Sequence, residues 1–503
     1  MTATHHTTAE IAKLARVLEL PDPADLAFLA DLPPAAIRAF RDQVNDLISR
    51  RDARRMQRIG AAAKLIPAPI AAKITEAAFG PVLAAAVAGS VDPARAVAIA
   101  GSLSPSFLAD ATVTLDPHRA AEVITHVPSS MAAAVARELI RRGDYLTMGR
   151  LVGSVPDSAL RAALPHAADI DLLHVGYYLE NTSAADRLLT LVADRIPGML
   201  RATHTENQWP EAITLLDLLG PAERSRIGDI AADQDDEVID GLLTAVGELD
   251  AWDTLLPVAA GMTPTALQRL TQRPLLHTPE ALTTITDTAL THDLWSDLLP
   301  LAAHLTPTQL QCVAARVGTE SDESLTALIE QAHTDNQWET LLPVALAFDT
   351  PTRNRLAALP ILHRPDTLEA AFRTTATHNL WPQALPLLDA LPTETHDTLA
   401  ARIGTLSDDQ FHAAATASPT THSTPTLLTL ILRQAPAPRT RSMTLLNETP
   451  KLEVLVTTLT TTDPAFWKAL SDIRTEIPQP LRGLLAAQVA QCGLPEIGDQ
   501  LTA

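Results

Sequence analysis

Tryptophan is scarce in this sequence, and its copies are evenly spaced. The six residues are Trp209, Trp252, Trp295, Trp338, Trp381 and Trp467. Successive members of the first five are 43 residues apart, and the last follows after 86 residues, which is two intervals. The skipped position is Thr424. A large apolar residue at one fixed position of a repeating segment is typical of proteins whose repeats bury each other. The chain is therefore expected to build its core by repetition.

Apolar columns keep the same 43-residue register. Thirteen residues before each tryptophan position stands an apolar residue in every repeat, from Ile196 to Val454. The columns four and eighteen residues after it are apolar with one exception each, Ser471 and Ser442. The columns define seven repeats, 191–233, 234–276, 277–319, 320–362, 363–405, 406–448 and 449–491, followed by a C-terminal cap. We interpret the tryptophans as core markers rather than as an exposed row of binding residues.

Each repeat is predicted to contain three helices. In the third repeat they span 279–291, 293–305 and 306–317. Thr263, Thr306 and Thr350 each precede a proline, an arrangement that favours a hydroxyl N-cap with proline at the first helical position. A further proline recurs five residues after the tryptophan, at Pro257, Pro300, Pro343 and Pro386. Such a proline is expected either to bend the second helix or to mark its start.

Three-helix segments of about 42 residues resemble the armadillo family, and two-helix segments of similar length resemble HEAT repeats. The resemblance covers the chain from Leu191 onward. It implies an all-α, right-handed α-solenoid with a concave face, and the period alone leaves both families open.

The first 190 residues follow a different rhythm. The pair Asp92-Pro93 recurs 24 residues later as Asp116-Pro117, and Asp22-Pro23 is an earlier copy. Each pair is expected to open a short helix, and Pro33, Pro105 and Pro128 to open the return helix, which predicts helical hairpins over 65–190. Residues 115–124, followed by Val127-Pro128 and an alanine-rich helix, resemble the cytosolic N-terminal domain of MgtE-type magnesium transporters. That resemblance implies a small helical solenoid that responds to magnesium.

Charge and cysteine content narrow the classes of function. The net charge of −21 argues against broad, sequence-independent contact with nucleic acid or with anionic lipid. Cys312 and Cys492 are far apart and lack metal-ligand spacing, so a reducing, cytoplasmic location is expected. The N-terminus lacks the features of a secretory signal. The apolar run 77–91 is broken by two glycines and a proline and is expected to be too short to span a bilayer.

One patch departs from the acidic composition. Arg50, Arg51, Arg54, Arg55 and Arg58, with Lys64, lie on a helix predicted to begin near residue 34, within an N-terminal region spanning 1–64. A basic helix next to an apolar stretch is suited to an acidic partner protein, to the acidic repeats of a second copy, or to a membrane surface. The alternative is a solvated basic helix. These arginines are the candidate partner-binding residues.

Other polar clusters have simpler explanations. The acidic residues are Asp229, Asp233, Asp235, Asp236, Glu237 and Asp240, which lack calcium-loop spacing and are expected to flank a helix start. Most of the 16 histidines follow the repeat register and lack metal-ligand spacing, so no metal or cofactor is expected. No catalytic motif is present, and no enzymatic activity is expected.

The sequence thus favours a non-catalytic scaffold or adaptor that presents the concave face of its solenoid to another protein, with the arginine helix as a second contact. A regulatory module for divalent cations or for a membrane partner is the first alternative. A helical-repeat enzyme or nucleic-acid-processing protein is the second, and it would require a basic groove that these acidic repeats do not provide.

Overall fold

A computed structural model describes residues 2–63 and 65–502; within them, the side chains of residues 2–5, 48–55, 57, 62, 63, 346 and 383 are not described. Over this part of the chain the structure is helical throughout and contains no strand. This confirms the all-α class. The chain divides into two compact units, an N-terminal unit (Met1–Leu275) and a C-terminal unit (Leu276–Ala503).

The helices are short and follow one another closely. The N-terminal unit contains α1 Thr2–Val17, α2 Pro34–Ala63, α3 Ala68–Ile74, α4 Gly80–Ala88, α5 Pro93–Ala100, α6 Pro105–Thr114, α7 Ala121–Thr125, α8 Ser129–Arg142, α9 Tyr145–Val152, α10 Asp157–Ala163, α11 Asp169–Tyr177, α12 Thr182–Leu191, α13 Ile196–Thr205, α14 Trp209–Asp217, α15 Pro221–Ala232, α16 Asp236–Glu248, α17 Trp252–Ala260 and α18 Pro264–Thr271. The C-terminal unit contains α19 Pro279–Thr291, α20 Trp295–Ala302, α21 Pro307–Val317, α22 Asp322–Thr334, α23 Trp338–Ala347, α24 Thr350–Ala357, α25 Pro365–His378, α26 Trp381–Ala390, α27 His396–Ile403, α28 Asp408–Ala417, α29 Thr424–Leu432, α30 Pro436–Glu448, α31 Leu452–Thr457, α32 Pro464–Asp472, α33 Gln479–Gln491 and α34 Pro495–Thr502. Single 3-10 turns occur at Pro23–Leu29, Leu164–His166, Ala193–Arg195, Pro274–His277, Pro360–His363, Thr393–Thr395 and Arg474–Glu476, and a π-turn at Thr75–Phe79.

The 43-residue interval is visible in the backbone as well as in the sequence. Two residues before each tryptophan position, through the Thr424 repeat, the chain adopts a left-handed conformation with φ between 49° and 60°. The residues are Asn207, Asp250, Asp293, Asn336, Asn379 and His422. Asparagine and aspartate tolerate this conformation better than most side chains. The same turn therefore joins the first and second helices of six repeats.

Each of the first six repeats contains three helices. In the third repeat they span residues 279–291, 295–302 and 307–317, close to the predicted bounds. The second helix begins at the tryptophan itself, or at Thr424 in the sixth repeat. The recurring prolines, such as Pro257 and Pro300, lie inside this helix, so they do not mark its start.

Proline 300 has a specific consequence for packing. A proline inside a helix cannot donate to the carbonyl four residues earlier, which here is that of Ser296. This carbonyl instead accepts a hydrogen bond of 2.9 Å from Nε2 of Gln337, in the next repeat. The interruption in one helix thus provides a polar contact between two repeats.

Two predicted helix starts were wrong. The helix after Asp349 begins at Thr350, and Asp349 caps it by accepting from the backbone N–H of Thr352. The hydroxyls of Thr263 and Thr306 do cap their helices, as predicted. Asp116 accepts from the backbone N–H groups of the next turn, but α7 begins only at Ala121.

Two arginines of the C-terminal unit, 86 residues apart, each link one repeat to the preceding one. Their spacing is twice the tryptophan interval. Arg355 donates to the carbonyls of Gly318 and Glu320 at the end of a preceding helix and pairs with Asp322. Arg441 makes the corresponding contacts to Gly404, Leu406 and Asp408. Each guanidinium supplies donors to carbonyl groups that a helix end leaves unpaired.

Candidate functional site

The predicted basic helix is confirmed as α2, which spans 30 residues. Between residues 47 and 58 it carries five arginines and one aspartate. Arg58 is exposed. The side chains of Arg50, Arg51, Arg54 and Arg55 lie outside the described ones.

Both ends of α2 are packed against other helices. Near its start, Ile37 is buried in a small apolar cluster with Leu14 and Leu26. Near its end, Gly60 approaches Ser90 so closely that a Cβ atom would lie 2.8 Å from the Ser90 carbonyl oxygen. Between these contacts Leu47 is exposed. The helix is thus held at its ends, with exposed side chains between them.

A buried ionic network fixes the first end of α2. The Nζ atom of Lys13 lies 2.9 Å from Oε1 of Glu10, and Nη1 of Arg41 lies 3.1 Å from the other oxygen of that carboxylate. Arg38 donates to Oε1 of Glu10 at 3.1 Å. The same Nη1 atom of Arg41 lies 2.7 Å from Oε1 of Glu180, which precedes α12. The network therefore joins α1, α2 and the segment before α12.

Burial and charge act in opposite directions on this network. Burial raises the pKa of Glu10, but Lys13, Arg41 and Arg38 outweigh it and hold that pKa below its usual value. Burial is the largest influence on Lys13, whose pKa is lowered despite Glu10 and Glu180. The partner charges therefore outweigh burial in setting the pKa of Glu10, whereas burial outweighs the partner charges in setting the pKa of Lys13.

Helix α1 meets acidic side chains from three successive parts of the N-terminal unit. Arg16 pairs with Asp144 at 3.2 Å, Lys13 lies 3.8 Å from Glu180, and His6 lies 3.8 Å from Asp217. The three acids are 36 and 37 residues apart. Helix α1 also packs against α14. Helix α1 therefore packs against elements that lie much later in the chain.

Exposed large apolar side chains are concentrated close to α2 in the sequence. They are Leu18, Phe28, Leu32, Phe40, Leu47, Leu65, Ile70, Ile74, Phe79, Val82 and Val454. Ten of these eleven fall between residues 18 and 82. Scattered single apolar residues are normal on a protein surface, whereas such a concentration is typical of an interaction site.

Helices α3 and α4 form one apolar segment, Ala68–Ala88, that is long and apolar enough to cross a membrane by length and composition alone. It is longer than the interrupted run expected from the sequence, since the π-turn Thr75–Phe79 links the two helices. Only 17% of its most apolar window is buried. Gly80, with φ 73° and ψ 170°, breaks the helical backbone between its two parts.

The N-terminal unit also encloses an apolar cavity of about 440 Å³. Its lining begins at Ile59 of α2, continues through every helix from α3 to α12, and ends at Leu188. The lining side chains that the structure describes are all apolar except those of Thr75 and Thr112. The C-terminal unit has a cavity of about 110 Å³ among its tryptophan-bearing helices. Alanine, valine and leucine pack the N-terminal hairpins less completely than tryptophan packs the later repeats.

The tryptophans lie inside the structure. Each of the six is at most 3% exposed. They therefore do not form an exposed row of aromatic anchors, and the apolar surface of the molecule lies elsewhere.

The acidic residues between 229 and 240 are engaged with neighbouring helices. Asp229 accepts from Thr263, and Asp233 pairs with Arg269. Arg273 pairs with both Asp236 and Asp240. Across the described residues, no group of three or more histidine, cysteine, aspartate or glutamate side chains is arranged to hold a metal ion.

Sequence reasoning located α2 but missed the ionic network and the cavity. Glu10 and Lys13 lie on α1 beside the buried residues Ile11 and Leu14. Charged residues placed among buried apolar ones on one helix are the sequence feature that could have indicated the network. No protein-family model and no curated protein matches the sequence.

Proposed function

We propose that the protein is a non-catalytic adaptor that binds another protein through α2 and the apolar side chains near it. The observation that carries this proposal is the concentration between positions 18 and 82 of ten of the eleven large apolar residues whose side chains are described and exposed. Protein interfaces combine apolar side chains with arginine and are poor in acidic residues. Residues 47–58, with five arginines, have this composition.

The repeats form the second part of the proposal. We infer that residues 191–503 form right-handed α-solenoid repeats of the HEAT or armadillo type, whose surface offers a second contact for a partner. The shared left-handed turns and the arginine contacts between repeats support a regular arrangement. The region holds 39 acidic and 19 basic side chains, which disfavours a nucleic-acid partner.

Charge reversal on α2 tests the adaptor proposal. The variant Arg50→Glu, Arg51→Glu, Arg54→Glu and Arg55→Glu is compared with the natural chain by affinity purification from the native host and mass spectrometry. A matched control reverses four exposed basic residues on other elements, Arg119, Arg373, Lys468 and Arg474. The proposal is supported by a protein that co-purifies with the natural chain and with the control but not with the α2 variant. That protein must also bind the natural chain when the two are purified separately and mixed. Unchanged capture by the α2 variant would refute it.

A membrane surface is the second candidate partner. It is favoured by the segment Ala68–Ala88, which is apolar and mostly exposed, beside a basic helix. Sedimentation with vesicles of anionic or neutral phospholipid measures this directly. Binding that requires anionic lipid and is lost in the α2 variant would assign the surface to a membrane rather than to a protein.

Self-association is the third arrangement, because the acidic repeats of one copy complement the basic helix of another. Light scattering at low and high salt distinguishes it. A dimer that dissociates at high salt, and that the α2 variant does not form, would identify a second copy as the partner.

A further inference from the structure

We propose that the apolar cavity of the N-terminal unit binds a single long aliphatic chain with an anionic head group, the chemistry of a fatty acid. This inference concerns the interior of the helical hairpins, and it shares Ile74, Phe79 and Arg58 with the surface of the adaptor proposal; its tests measure ligand binding and not capture of a protein.

The lining determines the class of ligand. Among the described side chains that line the cavity, only those of Thr75 and Thr112 are polar, and the hydroxyl of each already donates to a backbone carbonyl, at 2.8 Å and 2.7 Å. A ligand with polar groups along its length would leave them unpaired inside the cavity, which is unfavourable. A hydrocarbon chain has no such groups. Burial of each of its methylene groups contributes a similar favourable free energy of transfer from water.

The shape of the cavity favours a chain over a compact ring. Helix α4 contacts α6, α6 contacts α8, and α8 contacts α10, so these helices form a row. The lining takes residues from every one of them. The cavity therefore follows the row, and its volume lies within the range of small-molecule pockets.

The cavity also remains accessible. Most of its lining side chains, including Leu103, Leu108 and Val135, are partly exposed rather than buried. Atoms that face an unfilled space lose dispersion contacts, and the loss grows with the volume left unfilled. A ligand that fills the space restores these contacts.

Charge places the head group at the α2 end. Ile59 lines the cavity, and the preceding residue, Arg58, is exposed. It is the last of the five arginines on this helix, in a chain whose net charge is −21. The proposal therefore assigns the carboxylate to the α2 end, where the sequence is most basic, because acidic surfaces would repel it.

A tryptophan placed at the cavity reports occupancy directly. Phe79 lines the cavity and is partly exposed, so Phe79→Trp adds an indole there. Titration of the full-length variant with dibromostearate should quench the added emission saturably. The natural chain is the control, because its six tryptophans lie outside the lining. Quenching that is not saturable, or that is equal in the two proteins, would overturn the proposal.

Variants that fill the cavity give a second measurement. Ala100 and Ala136 line it, and changing both to phenylalanine in the Phe79→Trp background should weaken dibromostearate binding at least tenfold. Ala98→Phe is the matched control, since Ala98 lies on α5, is exposed and does not line the cavity. If the double variant fails to fold by circular dichroism, the Phe79→Trp titration alone decides.

The head group is tested with a brominated alcohol of the same length. Arg58→Glu should weaken binding of the fatty acid about tenfold and leave binding of the alcohol unchanged. Equal effects on both ligands would overturn the assignment of the head group. Quenching by brominated phospholipid vesicles but not by the free fatty acid would show that the cavity meets a membrane, and would also overturn the proposal.

Discussion

Lys13 and Glu10 form a hydrogen-bonded ion pair of 2.9 Å inside the N-terminal unit, and their side chains are only 1% and 3% exposed. Charged groups are rarely buried so completely unless partners satisfy them. The two members of this pair are not equivalent, because Glu10 also accepts hydrogen bonds from Arg38 and Arg41.

Glu10→Gln is expected to destabilise the N-terminal unit strongly. The change leaves the cations of Lys13, Arg38 and Arg41 with less negative charge, and breaking a buried pair in this way costs on the order of 3 kcal/mol. Lys13→Met should cost less than Glu10→Gln, since it leaves Glu10 paired with Arg38 and Arg41. Urea unfolding followed by circular dichroism compares the variants. Equal losses of stability would contradict the unequal roles.

The contribution of Glu10 should depend on pH in a defined direction. Its pKa in the folded protein lies below the ordinary value of 4.5. A carboxyl group of this kind contributes its full stability above the unfolded pKa and loses it as the pH falls through the folded pKa. The difference in Tm between the natural chain and Glu10→Gln should therefore be constant from about pH 7 to 5 and shrink at lower pH. Glu237→Gln, at an exposed residue, is the control. A difference that grows on acidification would contradict the prediction.

Two tryptophans in the same register should respond differently to phenylalanine. The indole N–H of Trp467 donates to the Thr461 carbonyl at 2.8 Å, whereas that of Trp381 is buried with no acceptor among the described residues. Trp467→Phe leaves a carbonyl unpaired, while Trp381→Phe removes an unpaired donor. Trp467→Phe is expected to cost about 1 to 2 kcal/mol more. Guanidinium unfolding of both variants measures the difference, and an equal or larger cost at Trp381 would refute it.

The left-handed turn at Asn336 makes a prediction about backbone alone. This residue is exposed and has φ 55°. Asn336→Val should lower stability by about 1 to 2 kcal/mol, because a side chain branched at Cβ fits this conformation poorly. Asn336→Gly, the matched control, should change stability by less than about 0.5 kcal/mol. Thermal unfolding of the two variants separates the cases, and equal Tm values would show that the turn does not constrain the residue.

The sequence predicts those features of the structure that depend on residues close together in the chain, and it misses those that depend on residues far apart. The tryptophan register, the three helices of a repeat and the start of α2 depend on nearby residues, and all were readable from spacing and helix-capping chemistry. Thr350 failed as an N-cap because Asp349, one residue earlier, offers the side-chain acceptor.

The candidate site was only partly predictable for the same reason. Arg41 and Glu180 are separated by 139 residues, and no local pattern connects them. The cavity depends on how completely small side chains fill the space between hairpins, which spacing does not express. The arginines of α2 were identifiable because charge density is a local property.

The contact between Arg41 and Glu180 also sets an order of events during synthesis. At roughly 5 to 20 residues per second, Glu180 is added about 7 to 28 seconds after Arg41. Throughout that interval Arg41 can pair with Glu10 but not with Glu180, so the network that joins α1 and α2 to the later helices is incomplete. The first helices to leave the ribosome are thus among the last of their unit to dock, so a nascent chain interrupted before residue 180 would present them to chaperones and proteases.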